Sequence, residues 1–273
     1  MTRWFGRIAG PMLAAAAVLA LVAGPAHAAD DATIDHAEHL DGQVKLLVSV
    51  PGDAEVDLGS VAVTIGGVTV DATAEAAANT DVKRTAVLAI DTSDSMKGAK
   101  ITEAKAAATT FLDTVPANVE VGIVTFDDTV TVRQPPSLDR AASRAVISAL
   151  TLSHNTSLYE GVKTAITTAG SDQGQHQVLV LSDGRDNTKA PLQPVIDAIK
   201  AAKVKVDVVA LEQGAAAPQP LADMASASGG TVVSANTDAL TAAFTSEATV
   251  LARQVLVTAQ VPAEQSATDA SVQ

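Results

Sequence analysis

The chain has 273 residues, enough for one or two domains, and 47% of them are hydrophobic although aromatic residues contribute only 2%. Its 31 acidic and 18 basic residues give a formal charge of −13, which argues against nucleic acid or an anionic membrane surface as a partner. The sequence contains no cysteine, so neither disulfides nor thiolate chemistry is available to it.

The N-terminal residues have the pattern of a secretory signal. Two arginines precede an apolar, alanine-rich stretch over residues 8–22, and Ala26-His27-Ala28 fits a small-x-small cleavage site. This predicts a signal peptide over residues 1–28 and a protein exported to the cell envelope or beyond, with a retained N-terminal anchor as the alternative. Residues 29–42 are polar and acidic, which predicts a short flexible leader.

A small β segment is predicted next. The apolar run 44–50 ends at Pro51-Gly52, and Gly66-Gly67 separates two further apolar runs, which is typical of a hairpin. The alanine-rich stretch 71–81 predicts a linker or a marginal helix. We therefore expect a β segment and linker over residues 43–82.

A weak internal similarity accompanies this segment. Residues 43–51 resemble residues 254–262 at an offset of 211 positions, and the same offset aligns Ser60-Val61 with Ser271-Val272. Chance similarity between apolar strands and a duplicated β segment both explain the match. On the second interpretation residues 254–273 begin another β segment, and the sequence is the front part of a longer protein.

Strands and helices alternate between these segments, over residues 83–253. Residues 129–132 predict an antiparallel hairpin at the sheet edge. The alternation predicts an α/β fold, namely a Rossmann-like, doubly wound and mostly parallel sheet covered by helices on both faces. Strands are predicted at 85–90, 119–126, 178–181, 204–211 and 231–233, and helices at 101–115, 140–150, 158–169, 192–199, 221–227 and 240–251.

Five oxygen-bearing side chains occupy the ends of these elements. Asp91, Ser93 and Ser95 directly follow the first buried strand, Thr156 precedes a helix, and Asp183 follows a later strand. In open α/β sheets ligands sit outside the carboxyl ends of the strands. Hydroxyl and carboxylate oxygens suit a hard cation, although helix caps and turns also use these residue types.

Four motifs in this region resemble the von Willebrand factor A domain family and its metal-ion-dependent adhesion site. They are Asp-Thr-Ser-Asp-Ser-Met, Val-Thr-Phe-Asp, Asn-Thr-Ser-Leu-Tyr-Glu-Gly and Leu-Ser-Asp-Gly, in that order. The resemblance implies that Ser93 and Ser95 bind a metal directly and that Thr156 binds it directly or through water. It implies that Asp91 and Asp183 act mostly through water and by orienting the hydroxyls.

The resemblance also implies the ion and the partner. The expected ion is Mg²⁺, with Mn²⁺ or Ca²⁺ as alternatives, and the expected partner is a protein that presents an acidic residue to the metal. A less specific resemblance is to actinobacterial proteins that join such a domain to a membrane portion related to type II secretion or tight-adherence pilus assembly. That resemblance implies, as an alternative, a structural module of an envelope machine, with membrane association only if the chain continues beyond residue 273.

Other chemistries find less support. A haloacid-dehalogenase-type phosphatase needs a second aspartate where Ser93 stands, and the sequence has neither a Gly-x-x-x-x-Gly-Lys phosphate loop nor a Gly-x-Ser-x-Gly elbow. His36 and His39 are expected to be solvated and Asp127-Asp128 to form a turn. His154 is expected to be an ordinary loop residue, with a place at the rim of the site as the alternative. A Mg²⁺-dependent hydrolase would need a general base that the sequence does not place near the metal, so we expect a binding protein rather than an enzyme.

Overall fold

The structure is a computed structural model, and it leaves the predicted signal peptide and residues 29–31 outside its described part. Among the described residues, no helix is both long enough and apolar enough to cross a membrane. The structure describes residues 32–40, 42–52, 56–184, 186–211, 218–261 and 270–272.

The chain enters a small β unit, passes through a long α/β unit and returns to the β unit. In chain order the elements are β1 (Thr33–Leu40), β2 (Gln43–Ser49), β3 (Val63–Ile65), β4 (Val68–Val70), β5 (Ala72–Ala76), β6 (Arg84–Asp91), α1 (Ala99–Thr114), β7 (Val119–Phe126), β8 (Val130–Ser137), α2 (Arg140–Ser148), α3 (Leu158–Ala169), β9 (Gln175–Ser182), α4 (Gln193–Ala202), β10 (Lys205–Leu211), α5 (Gln219–Ser228), β11 (Val232–Ala235), α6 (Leu240–Ala252), β12 (Val255–Gln260) and β13 (Ala270–Val272).

The α/β unit is built on a six-stranded sheet in the order β11-β10-β9-β6-β7-β8. Its strands are parallel except β8, which runs antiparallel to β7 at the edge. All eight residues of β6 and of β9 are buried, as expected for central strands whose two faces are both covered by helices. The predicted α/β, Rossmann-like fold class and the edge hairpin are confirmed.

Helices cover both faces of this sheet. One buried cluster joins α1, α2 and α6 to the sheet, and a second joins α3, α4 and α5 to the opposite face. The rings of Phe111 and Phe244 meet edge to face, with centroids 6.4 Å apart, between α1 and α6. On the other face a Cβ at Gly161 would lie 2.6 Å from ring carbons of Phe126, so this glycine lets α3 approach β7 closely.

The β unit consists of two small sheets around a shared apolar core. One sheet has the order β1-β2-β12-β5 and the other β13-β3-β4. Side chains from both sheets enter one buried cluster, among them Val44, Leu46, Val63, Ile65 and Val257. The hairpin predicted at Gly66-Gly67 is confirmed, because β3 and β4 pair antiparallel across that turn.

Two sequence predictions in this unit are wrong. Residues 33–40 of the predicted flexible leader form β1, which pairs with β2. The alanine-rich stretch predicted to be a linker or a helix contains β5, which pairs with β12. Burial along β5 alternates residue by residue, so its alanines pack as the inward face of a strand. A partner strand far along the chain overrides the high helix propensity of alanine here.

The strand register explains the internal similarity. In the antiparallel pair of β2 and β12, Leu46 lies opposite Val257. These two residues are also matched to each other by the internal similarity, because their numbers differ by 211. The β1–β2 pair His39–Val44 likewise corresponds to the β5–β12 pair Ala76–Val255. The two strand pairs thus share one register, as a duplicated β segment would require. The α/β unit lies in the chain between β5 and β12, at the place that corresponds to the connection between β1 and β2.

Candidate functional site

The sheet topology brings the predicted metal ligands to one edge. Asp91 is the last residue of β6, and Asp183 directly follows β9, which is the parallel neighbour of β6. The loop between α2 and α3 approaches the same edge, because the amide of Ser153 donates a hydrogen bond to the carbonyl of Thr92 at 2.9 Å. This loop carries Thr156. All three predicted loops thus lie at the carboxyl ends of the parallel strands, where α/β proteins bind ligands.

Four of the five side chains share one hydrogen-bond network. Asp91 is fully buried and accepts a hydrogen bond from the amide of Ser93 (2.9 Å) and another from the hydroxyl of Ser182 (2.8 Å). The hydroxyl oxygens of Ser93 and Ser95 lie 2.7 Å apart. The Ser95 hydroxyl donates to one oxygen of Asp183 at 2.8 Å. The two carboxylates are therefore connected through the amide and the hydroxyl of Ser93 and the hydroxyl of Ser95, which form a continuous polar row.

Thr156 is held beside this row by its main chain. Its carbonyl accepts a hydrogen bond from the amide of Asn187 at 2.9 Å, on the segment that follows Asp183. The amide of the next residue, Ser157, donates to the carbonyl of Asp127 at 2.8 Å. The side chain of Thr156 is buried with 4% exposure. In the described part of the chain, no hydrogen bond joins its hydroxyl to the other four side chains.

Burial makes the charge on Asp91 costly. Burial raises the pKa of Asp91 to about 6, the nearby charge of Asp183 adds to this effect, and the hydrogen bonds from Ser93 and Ser182 oppose it. Asp183 forms an ion pair with Lys100, whose Nζ lies 2.9 Å from its second carboxylate oxygen. A divalent cation at the serine row would favour the ionised form of Asp91.

The donor chemistry fits a hard divalent cation. The five side chains offer three neutral hydroxyls and two carboxylates, all of them oxygen donors, which suits Mg²⁺ with several retained waters. Among the described residues, no three His, Asp or Glu side chains are grouped so as to hold a metal ion. The five predicted ligands thus include two carboxylates and no imidazole.

Asp127 accepts more hydrogen bonds than a turn residue requires. It was expected in a turn, and its amide does donate to the carbonyl of Thr129 at 3.0 Å. However, Asp127 is buried and also accepts hydrogen bonds from the Thr92 hydroxyl (2.8 Å) and the Thr129 amide (2.9 Å). The sequence held no clear signal for this role, because aspartates are mostly exposed and a turn after a strand has the same pattern.

The histidines differ in their relation to the site. His154 lies on a loop as expected, and its Nδ1 is 2.5 Å from a carboxylate oxygen of Asp94, which adjoins Ser93 and Ser95. His36 lies on β1 rather than in a leader, and its Nε2 is 2.9 Å from a carboxylate oxygen of Glu38. His39 is exposed on the same strand.

Comparison with known proteins concerns the domain type of the α/β unit. The family described as von Willebrand factor type A domain matches residues 86–185. A protein of Mycolicibacterium paratuberculosis named UPF0353 protein is 33% identical over 122 residues, which are 40% of this chain and 36% of that protein. The chain thus spans about a third of the length of the curated relatives it matches.

Solved structures show the same fold at low sequence identity. The von Willebrand factor type A protein from Catenulispora acidiphila is 17% identical, with a TM-score of 0.57 over 81% of this chain and 49% of that chain. The vWF domain of the type V pili tip protein Mfa5 from Porphyromonas gingivalis is 16% identical, with a TM-score of 0.54 over 62% of this chain and 95% of its own. Proximal thread matrix protein 1 from the mussel byssus, described with a zinc-occupied MIDAS motif, is 18% identical, with a TM-score of 0.53 over 68% and 49%. The α/β unit therefore has the von Willebrand factor type A fold.

Proposed function

We propose that the von Willebrand factor type A domain of this chain binds a divalent cation, foremost Mg²⁺, and through it a protein that presents a carboxylate. The observation that supports this most is the row from Asp91 through Ser93 and Ser95 to Asp183. The row consists of oxygen donors, lies at the carboxyl edge of the sheet and has two neutral hydroxyls at its centre. Mn²⁺ or Ca²⁺ would use the same donor types.

The five side chains would have different roles in binding the ion. Ser93 and Ser95 would bind the ion directly, Thr156 directly or through water, and the two aspartates mostly through water. A bound ion would supply an electrophilic centre for a carboxylate oxygen of the partner. Neutral hydroxyls offset little of the ion's charge, so an external carboxylate would gain much by binding. No general base is assigned at the site, and we propose a binding protein rather than a Mg²⁺-dependent hydrolase.

Calorimetric titration with MgCl₂ and MnCl₂ tests the metal site. We expect Ser93→Ala to lower the affinity at least about tenfold, because it removes a direct ligand while leaving the buried strand intact. Ser148→Ala, at the exposed end of α2, is the matched control and keeps the wild-type affinity. Equal affinity in all three proteins would refute the assignment.

The same variants test the partner. Affinity capture with Mg²⁺ should recover a protein that is lost with excess chelator and with Ser93→Ala. The second candidate function is a structural module of an envelope machine of the type II secretion or tight-adherence class, and a pilus tip protein among the fold neighbours makes it worth testing. A partner that stays bound in excess chelator would favour this second function.

Export is part of the proposal. The basic start, the apolar stretch and the small-x-small site over residues 1–28 support secretion to the envelope or beyond. Mass determination of the mature N-terminus after expression with the native leader checks it, with cleavage expected after Ala28. A mature protein that still begins at residue 1 would favour a retained anchor.

A further inference from the structure

The first turn of α3 is capped by a residue from another loop. Ser157 precedes the helix, but its side chain makes no capping hydrogen bond. Instead, Oδ2 of Asp186, on the loop that follows β9, accepts a hydrogen bond from the amide of Tyr159 at 3.0 Å. Tyr159 is the second residue of α3. A carboxylate is favoured at this position, because it satisfies a free helix amide and lies at the positive end of the helix dipole.

The other oxygen of Asp186 shapes its own loop. Oδ1 accepts a hydrogen bond from the amide of Thr188 at 2.8 Å and another from the hydroxyl of the same residue. Between these two residues, the amide of Asn187 donates to the carbonyl of Thr156 at 2.9 Å. The loop after β9 is thus attached to the start of α3 at two points, one before and one after the N-cap residue.

Thr156 depends on this attachment more than the other predicted ligands do. In the part of the chain that the structure describes, no hydrogen bond joins its hydroxyl to the other four side chains. Its place is therefore set by the main-chain hydrogen bonds at Thr156 and Ser157. The loop after β9 begins with Asp183, so the contact of Asp186 with α3 joins the segments that carry two of the five predicted ligands.

We infer that Asp186 is a positioning residue, which holds Thr156 in place beside the other ligands of the cation. This inference rests on the proposed function. Without the carboxylate, the amide of Tyr159 loses its acceptor and the loop loses its hydrogen bonds to Thr188, so the two segments can separate. Partners that orient metal ligands without touching the metal typically contribute about 10- to 100-fold to metal affinity.

A double-mutant cycle between Asp186 and Thr156 tests the inference, with calorimetric titration of MgCl₂ and MnCl₂. We expect Asp186→Ala to bind both ions about tenfold more weakly than wild type. Thr156→Val, which keeps the side-chain shape and removes the hydroxyl, should also bind more weakly. In the Thr156→Val background, Asp186→Ala should cost less than about twofold, because the ligand that it positions is already absent.

Two further variants separate hydrogen bonding from charge. Asp186→Asn loses the charge and keeps an oxygen acceptor for the Tyr159 amide, so its affinity should lie within about threefold of wild type. Asp197→Ala is the matched control, because it removes an exposed carboxylate on α4 that accepts a hydrogen bond from Gln193 on the same helix. It should bind as wild type does. Far-UV circular dichroism of each variant measures whether the helices are retained.

The other outcomes keep the two proposals apart. Equal affinity of Asp186→Ala and wild type, or of Thr156→Val and wild type, would overturn the inference, while weaker binding by Ser93→Ala would leave the metal site standing. A loss from Asp186→Ala that persists in the Thr156→Val background would overturn it too, as would loss of the helical signal. Asp186→Asn as weak as Asp186→Ala would show that charge is the cause. Absence of binding by wild type would overturn the proposed function, and the inference with it.

Discussion

Asp127 connects the two loops that carry the hydroxyl donors. Its carboxylate accepts the hydroxyl of Thr92, which lies between Asp91 and Ser93, and its carbonyl accepts the amide of Ser157. Burial works to raise the pKa of Asp127, but the hydrogen bonds from Thr129 and Thr92 outweigh it and hold the pKa below its ordinary value. The ionised carboxylate is therefore the form that organises both loops.

Asp127→Ala should lower the free energy of unfolding by about 2–3 kcal/mol, because the buried Thr92 hydroxyl and the Thr129 amide lose their acceptor. Urea denaturation measures this loss, and Mg²⁺ affinity should fall in parallel. Asp197→Ala is the control, since Asp197 is exposed on α4 and accepts a hydrogen bond from the side chain of Gln193 on the same helix. An equal effect of the two substitutions would contradict the structural role of Asp127.

The sequence predicts the site residues better than their surroundings. A run of apolar residues ending in Asp91 predicts a donor at the sheet edge, because strand burial and strand ends follow from local pattern. The contact of Lys100 with Asp183 and that of Thr92 with Asp127 join residues far apart in the sequence. Such contacts depend on how elements pack, so local pattern does not reveal them.

At the scale of elements, α6 carries a buried acidic residue against the sheet. Glu247 is 7% exposed, and the charges of Asp207 and Lys205 on β10 act on it. Burial raises the pKa of Glu247 to about 7, Asp207 adds to this, and Lys205 opposes it. Asp207 is itself buried and accepts hydrogen bonds from Gln177 (2.7 Å) and the Thr231 amide (2.8 Å). Two carboxylates thus face each other between α6 and β10.

The pKa of Glu247 predicts how stability changes with pH. The folded protein holds the Glu247 proton more tightly than the unfolded chain, whose pKa is near the ordinary value of 4.5. This stabilisation is complete below the unfolded pKa and is lost as pH rises through about 7. Glu247→Gln, which mimics the protonated form, should therefore be more stable than wild type by about 2 kcal/mol at pH 8.

Denaturation of both proteins at pH 5 and pH 8 checks this prediction, with a much smaller difference expected at pH 5. Glu160→Gln, on an exposed position of α3, provides the control and should show no pH-dependent gain. A Glu247→Gln protein no more stable than wild type at pH 8 would show that the folded protein tolerates the charge.

Elements differ in how far the sequence determines them. β6 and β9 contain the apolar runs 86–90 and 178–181, and these runs alone predict buried parallel strands. β1 and β5 have polar or alanine-rich sequences, and β5 becomes a strand because β12, far along the chain, offers a partner. Prediction therefore succeeds where an apolar pattern marks a strand, and it fails for β1 and β5, which lack that pattern and whose pairing decides the outcome.

At the scale of the whole molecule, one polar cluster holds the α/β unit at its junction with the β unit. Arg84, at the start of β6, donates to the carbonyl of Leu251 (2.8 Å) and to the side chain of Gln254 (3.3 Å). Asn118 donates to the carbonyl of Ala77 at 3.0 Å. Both ends of the insertion are thus fixed next to each other, and the entering and leaving strands remain neighbours in one sheet.

The register implies that the insertion replaces a hairpin turn. The amide of Ala77 donates to the carbonyl of Gln254 at 2.8 Å, which matches the pairing of Leu40 with Gln43 beside the first turn. In the sequence Asp41-Gly42 stands between β1 and β2, and Gly42 has a φ of 79°, a conformation that favours glycine. A chain in which Asp-Gly replaces residues 78–253 would therefore join β5 to β12 in a hairpin with the geometry of the β1–β2 hairpin.

We expect this shortened chain to fold into a strand-rich protein with a cooperative urea transition and a free energy of unfolding below about 5 kcal/mol, because so small a core supports little more. Far-UV circular dichroism and denaturation measure it. An Asp-Ala replacement is the control and should be less stable by about 1 kcal/mol, since alanine is strained at positive φ. Loss of the cooperative transition with Asp-Gly would show that the β unit depends on the α/β insertion, so that the junction cluster around Arg84 contributes to folding as well as to alignment.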